Sequence, residues 1–371
     1  MDIKNKNQKA GDSSLQVQDS TINFIQGIDE KRAREICNET FQTAKQNFTK
    51  DAYILASQRV DMFENKLMER ISKIEGAIQK FADPAFQLLL VDAHKAAAST
   101  EREVDYDLLS ELLVHRVESG KDRIKQTGIK HAVEIVNQIS DDALMALSIC
   151  YVVIYLSPDS GMLRDGLKII DNLLGKLLYY KLPVGNEWIE HLELLGAVRI
   201  SSMQTFNKFE EIYFSKFSGY FCTGIRMNSE NYDEACKLLD KVGLPKDIIL
   251  VNHEIRNGFV RLPISQLENA ENLGLYTNIS LFGNKITKKV SLSVEQKNVL
   301  REIVNLYDSI HEQSDKERYI YKNELMKYDN IKKIAAWWNN ISMHFSFTKV
   351  GKILAHVNAK RIDNNIPEID V

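Results

Sequence analysis

Residues that interrupt regular secondary structure are scarce in this sequence. Only six prolines and 17 glycines occur among 371 residues. A β-sandwich contains many turns and needs more of both residue types, whereas long helices need few of either. The scarcity therefore predicts a mainly α fold.

Cysteine is rare as well, and Cys37, Cys150, Cys222 and Cys236 are scattered without a CxxC pair. This spacing argues against a zinc knuckle and a disulfide framework, so we expect free thiols in a reducing compartment. No metal site and no cofactor are predicted. The N-terminus lacks the apolar segment of a signal peptide, and a cytoplasmic location is expected.

A hydrophobic run of membrane length and a strong charge of one sign are both missing. The uncharged segment 143–156 is about 15 residues long, short of the roughly 20 that a membrane-spanning helix requires. We interpret it as a fully buried core helix and predict no stable membrane span. The net charge of −3 argues against binding nucleic acid through bulk charge, but it does not exclude a local basic patch.

Sequence signatures of common catalytic sites are also missing. The chain has no GxGxxG, HExxH or GxSxG motif, and Gly161 and Gly166 are followed by Leu167 where a phosphate-binding Walker loop requires lysine. Glu187 and His191 have the spacing of a helical pair, which is more often a surface contact than half of a metal site. We predict no catalytic residue and keep an effector enzyme without a linear motif as an alternative.

Residues 1–27 form the first predicted unit. Apolar and polar residues alternate there, around Leu15 and Val17 and again around Ile22 and Phe24. Period-two alternation is typical of short strands, which cannot bury a face alone. The alternatives are a disordered tail and a β-rich oligomerisation arm completed by other copies of the chain. We favour the arm and therefore expect a homo-oligomer.

Residues 28–82 form the second predicted unit, a long coiled-coil-like helix. Apolar residues recur at steps of three and four, whereas the rest of the surface is charged or polar. So narrow a stripe needs a partner helix from the same chain or from another copy, and the pattern is compatible with a break at residues 57–61. The predicted oligomerisation residues of this unit are Phe41, Phe48, Leu55, Leu67, Ile71, Ile74 and Ile78.

Two further units are predicted, a helical domain at residues 83–195 and an α+β C-terminal domain at residues 196–371. Asp83 is a natural N-cap in front of Pro84. Segment 245–256 fits either a helix or a hairpin that turns at Asn257-Gly258, and the helix is the interpretation adopted. Predicted helices span residues 85–99, 105–118, 123–139, 141–156, 163–180, 188–195, 230–242, 293–311, 316–326, 329–341 and 349–359, and strands are expected at 196–200, 276–282, 285–292 and 345–348.

Basic and aromatic residues are interleaved in the C-terminal stretch that starts at Lys316. Lysines can hold phosphates while aromatic rings stack on bases, so nucleic-acid binding is an alternative function. Trp337 and Trp338 lie at helical spacing with Ile334 and Ile341, which is a core pattern and weakens this interpretation. The candidate nucleic-acid contacts are Lys327, Lys332, Lys333, Lys349 and Lys352.

Several segments resemble known bacterial sequences. Residues 7–18, NQKAGDSSLQVQ, resemble an NQK-GDNS-x-x-IQ opening, with Ser13 in place of asparagine. Residues 83–147 are similar to a series of helical motifs, residues 192–198 to an L-x-x-L-G segment, and residues 347–355 to a final LT-x-x-G-x-x-I-A segment. This layout resembles uncharacterised bacterial helical families that include the abortive-infection alpha-type proteins of phage defence.

The resemblance implies a helical protein with a small β element ahead of its first helix, and it supplies no catalytic residues. The strands and helices of its last two segments are compatible with winged-helix-like elements. We call the narrow apolar stripe of residues 28–82 the seam. Together with the predicted N-terminal arm and the seam, the resemblance leads us to expect a non-enzymatic, oligomeric protein of a bacterial anti-phage or abortive-infection response. Such a protein would act by self-assembly and by binding a phage or host protein.

Overall fold

A computed structural model describes residues 28–44, 49–201, 203–281, 284–307 and 315–367. The fold is mainly α, as the sequence predicts, with a few short strands. The helices are α1 Glu30–Ala44, α2 Lys50–Ile71, α3 Pro84–Ser99, α4 Glu103–Glu118, α5 Arg123–Ile135, α6 Asp141–Tyr155, α7 Leu163–Leu177, α8 Glu187–Leu194, α9 Phe209–Lys216, α10 Glu230–Lys241, α11 Lys246–Ile249, α12 Val294–Asn305, α13 Asp315–Leu325, α14 Asp329–Trp338 and α15 Lys349–Ile362. The strands are β1 Val198–Ser201, β2 Ile225–Arg226, β3 Val251–Asn252, β4 Phe259–Arg261, β5 Leu275–Leu281, β6 Asn284–Val290 and β7 His344–Phe347.

Local capping explains where several helices begin. The Asp83 side chain accepts a hydrogen bond from the Ala85 amide at 3.0 Å, and Pro84 occupies the first helical position of α3. Ser293 and Gln296 form a capping box at the start of α12, because each side chain bonds the backbone amide of the other residue. These short-range bonds satisfy amides that a helix start leaves without intrahelical partners.

The predicted N-terminal seam consists of two helices that pack inside the chain. The seam residues Phe41, Leu67 and Ile71 are buried in the chain's own core, where α1 packs on α3 and α2 packs on α3 and α4. This placement corrects the expectation that these three side chains are available to another copy. The break considered at residues 57–61 does not occur, since α2 runs through them without interruption.

The remaining seam residues differ in their surroundings. Ile74 and Ile78 are half-buried against the same core, whereas Leu55 is 49% exposed. The arm residues Leu15, Val17, Ile22 and Phe24 and the seam residue Phe48 lie outside the described part of the chain.

Helix α6 is the centre of the larger core. Its side chains from Ala143 to Val153 are buried on every face, which confirms the interpretation of segment 143–156 as a core helix. Helix α15 packs along it. In the described part of the chain, no helix is both long enough and apolar enough to cross a membrane.

The chain leaves this core after Phe221 and returns to it at Tyr321, between strands β1 and β7. These two strands pair antiparallel, with Val198 opposite Phe347 and Ser201 opposite His344. Between them, residues 222–307 build a second, smaller core around the antiparallel sheet β2-β4-β3 and helices α10 and α12. The larger core therefore combines residues that precede this insertion with residues that follow it.

The helix adopted for residues 245–256 is wrong. Only α11 is helical there, and β3 then pairs with β4 through Val251–Arg261 and Asn252–Val260. Gly258 has φ +79°, a left-handed conformation that suits the turn between these strands. The predicted hairpin is confirmed as β5 and β6, although Asn284, expected in the turn, pairs with Leu281.

Candidate ligand-binding cleft

A large cleft lies between the C-terminal end of α6, one face of α7 and the two ends of α15. Its volume is about 1220 Å³, above the roughly 300–1,000 Å³ of an ordinary small-molecule site. We call it the tyrosine–lysine cleft. Its lining includes Tyr151, Tyr155, Ile169, Lys176, Phe347, Lys349, Lys352 and Asp363.

The end of α6 is held in place at the cleft by a half-buried lysine. The Lys216 ammonium donates hydrogen bonds to the carbonyls of Val153 at 2.8 Å and Leu156 at 2.5 Å. Carbonyls at a helix C-terminus have no intrahelical partner, and a cation there also complements the helix dipole. Burial lowers the pKa of Lys216 to about 7. This contact fixes the chain reversal that follows Tyr155.

Aromatic rings form one wall of the cleft. The Tyr155 ring lies 5.3 Å from the Tyr151 ring and 5.6 Å from the Phe347 ring, measured between centroids. Tyr155 is 42% exposed, whereas Tyr151 is only 2% exposed. The wall therefore presents the exposed part of the Tyr155 ring, packed against Tyr151 and Phe347, to a ligand in the cleft.

Lysines are placed at both ends of α15. The Lys352 ammonium lies 4.6 Å from the centre of the Tyr155 ring, and Lys349 is exposed in the first turn of the helix. At the other end, Lys176 forms an ion pair with Asp363 at 2.8 Å. The 14 steps from Lys349 to Asp363 span roughly 21 Å at about 1.5 Å per residue, so the cleft is elongated.

Polar groups without partners lie directly beneath the aromatic wall. Among the described residues, the buried Oη of Tyr151 and both ring nitrogens of His356 have no hydrogen-bond partner. The His356 ring lies 6.0 Å from the Tyr151 ring and 5.6 Å from the His115 ring. Burial lowers the pKa of both His115 and His356 to about 4, so both imidazoles are neutral at pH 7.

A second, more open groove adjoins the cleft on the other side of Phe347. Its lining includes Arg123 of α5, Arg199 of β1 and Lys349, and we call it the basic groove. Phe347 and Lys349 line both depressions, which therefore form neighbouring parts of one surface.

The segments that carry the family resemblance meet at the basic groove. The Thr348 hydroxyl lies 2.7 Å from the Gly196 carbonyl and accepts a hydrogen bond from the Gly351 amide at 3.1 Å. A Cβ atom added at Gly351 would lie 2.0 Å from the Ala197 carbonyl oxygen. Glycine is required at this position because the first turn of α15 touches the backbone that leads into β1.

The predicted nucleic-acid contacts fall into two groups. Lys349 and Lys352 line the tyrosine–lysine cleft, whereas Lys332 and Lys333 are exposed on α14 and line neither depression. Lys327 precedes α14 and pairs with Glu324.

The two tryptophans of α14 belong to the core region rather than to an exposed stacking face. The Trp338 side chain is 1% exposed and donates to the Asn207 carbonyl at 3.0 Å, and Trp337 donates to the Pro183 carbonyl at 2.9 Å. The core pattern that the sequence indicates for these residues is confirmed.

Sequence reasoning missed the aromatic wall. Tyr155 and Phe347 are 192 positions apart and meet only because β7 returns to β1. One local signal was available, since Tyr151 and Tyr155 follow each other at helical spacing where the apolar segment ends.

Comparison with protein families matches residues 27–368 to a family model whose description reads ":-like" and names no activity. The chain belongs to this family. No curated protein and no solved structure matches the chain. The anti-phage role, the homo-oligomer and the phage or host partner stay predictions.

Proposed function

We propose that the chain is a binding protein for a ligand of the nucleotide class, held in the tyrosine–lysine cleft. The observation that carries this proposal is the position of Lys352 over the half-exposed Tyr155 ring, one helical turn from the exposed Lys349. A nucleotide combines a planar base with phosphate. Tyr155 can stack on the base, and Lys349 and Lys352 can bind the phosphate.

The charges in the cleft favour an anion. Asp363 is neutralised by Lys176 at 2.8 Å, which leaves Lys349 and Lys352 opposed by Asp159 alone among the other lining residues. Lysine binds phosphate as a point charge, and the amides in the first turn of a helix favour the same ligand. Both lysines lie in the first turn of α15.

The aromatic wall favours a planar group on the same ligand. Stacking of a base on an aromatic side chain contributes about 1–3 kcal/mol. The Phe347 and Tyr151 rings both contact the Tyr155 ring, so little conformational freedom is lost when a base stacks on it. The volume of about 1220 Å³ exceeds what one mononucleotide fills, so a dinucleotide also fits this proposal.

Calorimetric titration of the purified full-length chain with ATP and with a dinucleotide tests the proposal. We expect Tyr155→Ala to weaken binding roughly 5-fold or more, which corresponds to the lower end of the stacking energy. The double variant Lys349→Gln/Lys352→Gln should weaken it further and reduce its salt dependence. The matched control is Lys332→Gln/Lys333→Gln, which removes the same charge from the exposed face of α14 and should bind like the unmodified chain.

The absence of binding to either nucleotide, or equal weakening in the control, would contradict the proposal. Thermal unfolding of each variant separates a binding defect from a folding defect. All five substituted side chains are exposed or half-buried, so the unfolding temperatures are expected to stay close to that of the unmodified chain.

A second candidate, binding of single-stranded nucleic acid, is favoured by the shared lining of the two depressions. A strand that passes from Tyr155 across Phe347 would meet Arg123 and Arg199 in the basic groove. Such binding predicts a steep salt dependence and a loss of affinity in Arg123→Gln/Arg199→Gln. Mononucleotide binding that is unchanged in this variant would assign the ligand to the cleft alone.

A further inference from the structure

A buried group of potential metal ligands lies in the three N-terminal helices, away from the cleft. Cys37 of α1, Glu64 of α2 and His94 of α3 each bring one ligand atom to a common point, and these atoms lie within 4.8 Å of one another. Cys37 and His94 have no exposed side-chain surface, while the Glu64 side chain is 19% exposed. The chain positions are far apart, so sequence spacing gives no sign of this group.

The contacts of Thr40 favour a hydrogen on one particular nitrogen of His94, Nδ1. Its Oγ1 lies 2.8 Å from the Cys37 carbonyl and 3.0 Å from the Ile36 carbonyl, and the single hydroxyl hydrogen is donated to these acceptors. Oγ1 also lies 3.2 Å from His94 Nδ1. The hydroxyl therefore accepts from Nδ1–H, which leaves Nε2 of the neutral imidazole with a free lone pair.

That lone pair faces another electron-rich atom. His94 Nε2 lies 2.9 Å from Glu64 Oε1, in an orientation that makes no hydrogen bond, and it is buried. Two lone pairs at this distance repel unless a cation or a proton lies between them. The Cys37 thiol supplies a third potential ligand beside them. A metal ion would bind all three atoms, whereas a bridging proton would involve only His94 and Glu64.

We propose that Cys37, Glu64 and His94 bind a divalent, thiophilic metal ion of the zinc class. Zinc accepts thiolate at about 2.3 Å and imidazole or carboxylate at about 2.0–2.2 Å, and a tetrahedral site then separates its ligand atoms by roughly 3.3–3.7 Å. The distance of 2.9 Å between His94 Nε2 and Glu64 Oε1 is below this range, and all three ligand atoms lie within 4.8 Å of one another, so metal binding would move Glu64 outward and draw the thiol toward the ion. Thr40 acts as the outer-shell partner that orients the ligating histidine.

Binding releases the proton of the Cys37 thiol to solvent, and the metal–thiolate bond replaces the S–H bond. Burial raises the pKa of the Cys37 thiol, so the metal would have to supply the stabilisation that keeps the sulfur deprotonated. A water molecule would complete the coordination, since the Glu64 side chain is 19% exposed. The metal would fasten α1 to α2 and α3.

Metal analysis of the purified full-length chain tests this proposal, followed by removal of the metal and titration with Co²⁺. We expect about one metal ion per chain and, with Co²⁺, the intense near-ultraviolet absorption of a cobalt–thiolate bond. Cys37→Ser should lose that absorption. Cys236→Ser, which changes a half-buried thiol in another part of the fold, should keep it.

His94→Gln and Glu64→Gln provide a second test that does not depend on the thiol. Each should lower the affinity for Co²⁺ by at least about 10-fold while cobalt that remains bound still shows the thiolate band. No cobalt uptake by the unmodified chain, together with an imidazolium signal from His94 in NMR spectra, would overturn the proposal in favour of a proton between His94 and Glu64. A thiolate band that persists in Cys37→Ser would overturn it equally.

Discussion

The Arg261 guanidinium, which has no exposed surface, donates a hydrogen bond to the Glu254 carboxylate at 2.9 Å. Arg261 also donates to the Gly161 carbonyl at 3.0 Å, and Glu254 accepts from the amides of Leu163 and Arg164 at the start of α7. This buried pair therefore connects the small sheet of the second core to a helix of the larger core.

Arg261→Met is expected to lower the free energy of unfolding by about 3–5 kcal/mol, because Glu254 keeps its charge in a half-buried place and loses its fully buried partner. Urea unfolding followed by circular dichroism measures the change. Arg226→Met is the matched control, since Arg226 is exposed in the neighbouring strand β2, and it should change the free energy by less than about 0.5 kcal/mol. Similar values for the two variants would show that the buried pair does not stabilise the fold.

Gly351→Ala is expected to destabilise the chain by about 1–3 kcal/mol or more. The added Cβ would meet the Ala197 carbonyl oxygen at 2.0 Å, which is backbone and cannot rotate away. Gly175→Ala is a suitable comparison, because its Cβ would meet the Asn330 side chain at 2.7 Å, and a side chain can move. The thermal unfolding temperature should fall more for Gly351→Ala than for Gly175→Ala, and the reverse order would contradict the packing described for α15.

His356→Phe is expected to flatten the pH dependence of stability between about pH 6.5 and pH 4. The pKa of His356 falls from 6.5 to about 4 on folding, so the unfolded chain binds more protons in this window and stability decreases as the pH is lowered. The free energy of unfolding decreases between pH 7 and pH 4, and removing the imidazole should make this decrease smaller by about 1–3 kcal/mol.

The environment of His356 defines the control for that measurement. His115 has a similarly lowered pKa and stays in the variant, and Lys360, Glu111 and Lys125 act on both rings, so part of the pH dependence is retained. His131→Gln, which replaces an exposed imidazole, is the comparison variant. Equal slopes in all three proteins would contradict the assignment of a neutral, buried His356.

Ser293→Ala is expected to destabilise the second core by about 1 kcal/mol through loss of the capping box at α12. Ser291→Ala, two residues upstream at an exposed position, should have little effect. Hydrogen exchange of the α12 amides reports the difference locally. Unchanged protection in Ser293→Ala would show that the start of α12 is fixed by packing instead of by its cap.

Helices α3 to α7 could be predicted from the sequence because their signals are local. Their positions were predicted to within a few residues from three signals. These are the Asp83-Pro84 helix start, the apolar periodicity and the uncharged apolar segment that forms α6. The narrow stripe of the N-terminal unit predicted one long coiled-coil-like helix up to residue 82, whereas the structure has α1 and then α2, which ends at Ile71. It did not reveal that the partner helix belongs to the same chain, because a stripe has the same pattern whichever chain covers it.

The sites could not be predicted because each depends on contacts between distant residues. Val198 pairs with Phe347 about 150 residues later, and only this pairing brings Lys349 and Lys352 to Tyr155. Cys37, Glu64 and His94 likewise come from three helices, and none lies in a motif. Periodicity assigns a residue to a helix face, but it does not identify the other helix that the face meets.

The insertion between β1 and β7 has a consequence for biosynthesis. Helix α6 ends at Tyr155, and α15, which covers it, begins only at Lys349. At about 5–20 residues per second, a ribosome needs roughly 10–40 s to translate the intervening stretch. During that interval the most apolar helix of the nascent chain has no native cover along the face that α15 later occupies. The larger core therefore completes its folding late in translation, and a chaperone that shields α6 until then would protect the chain from aggregation.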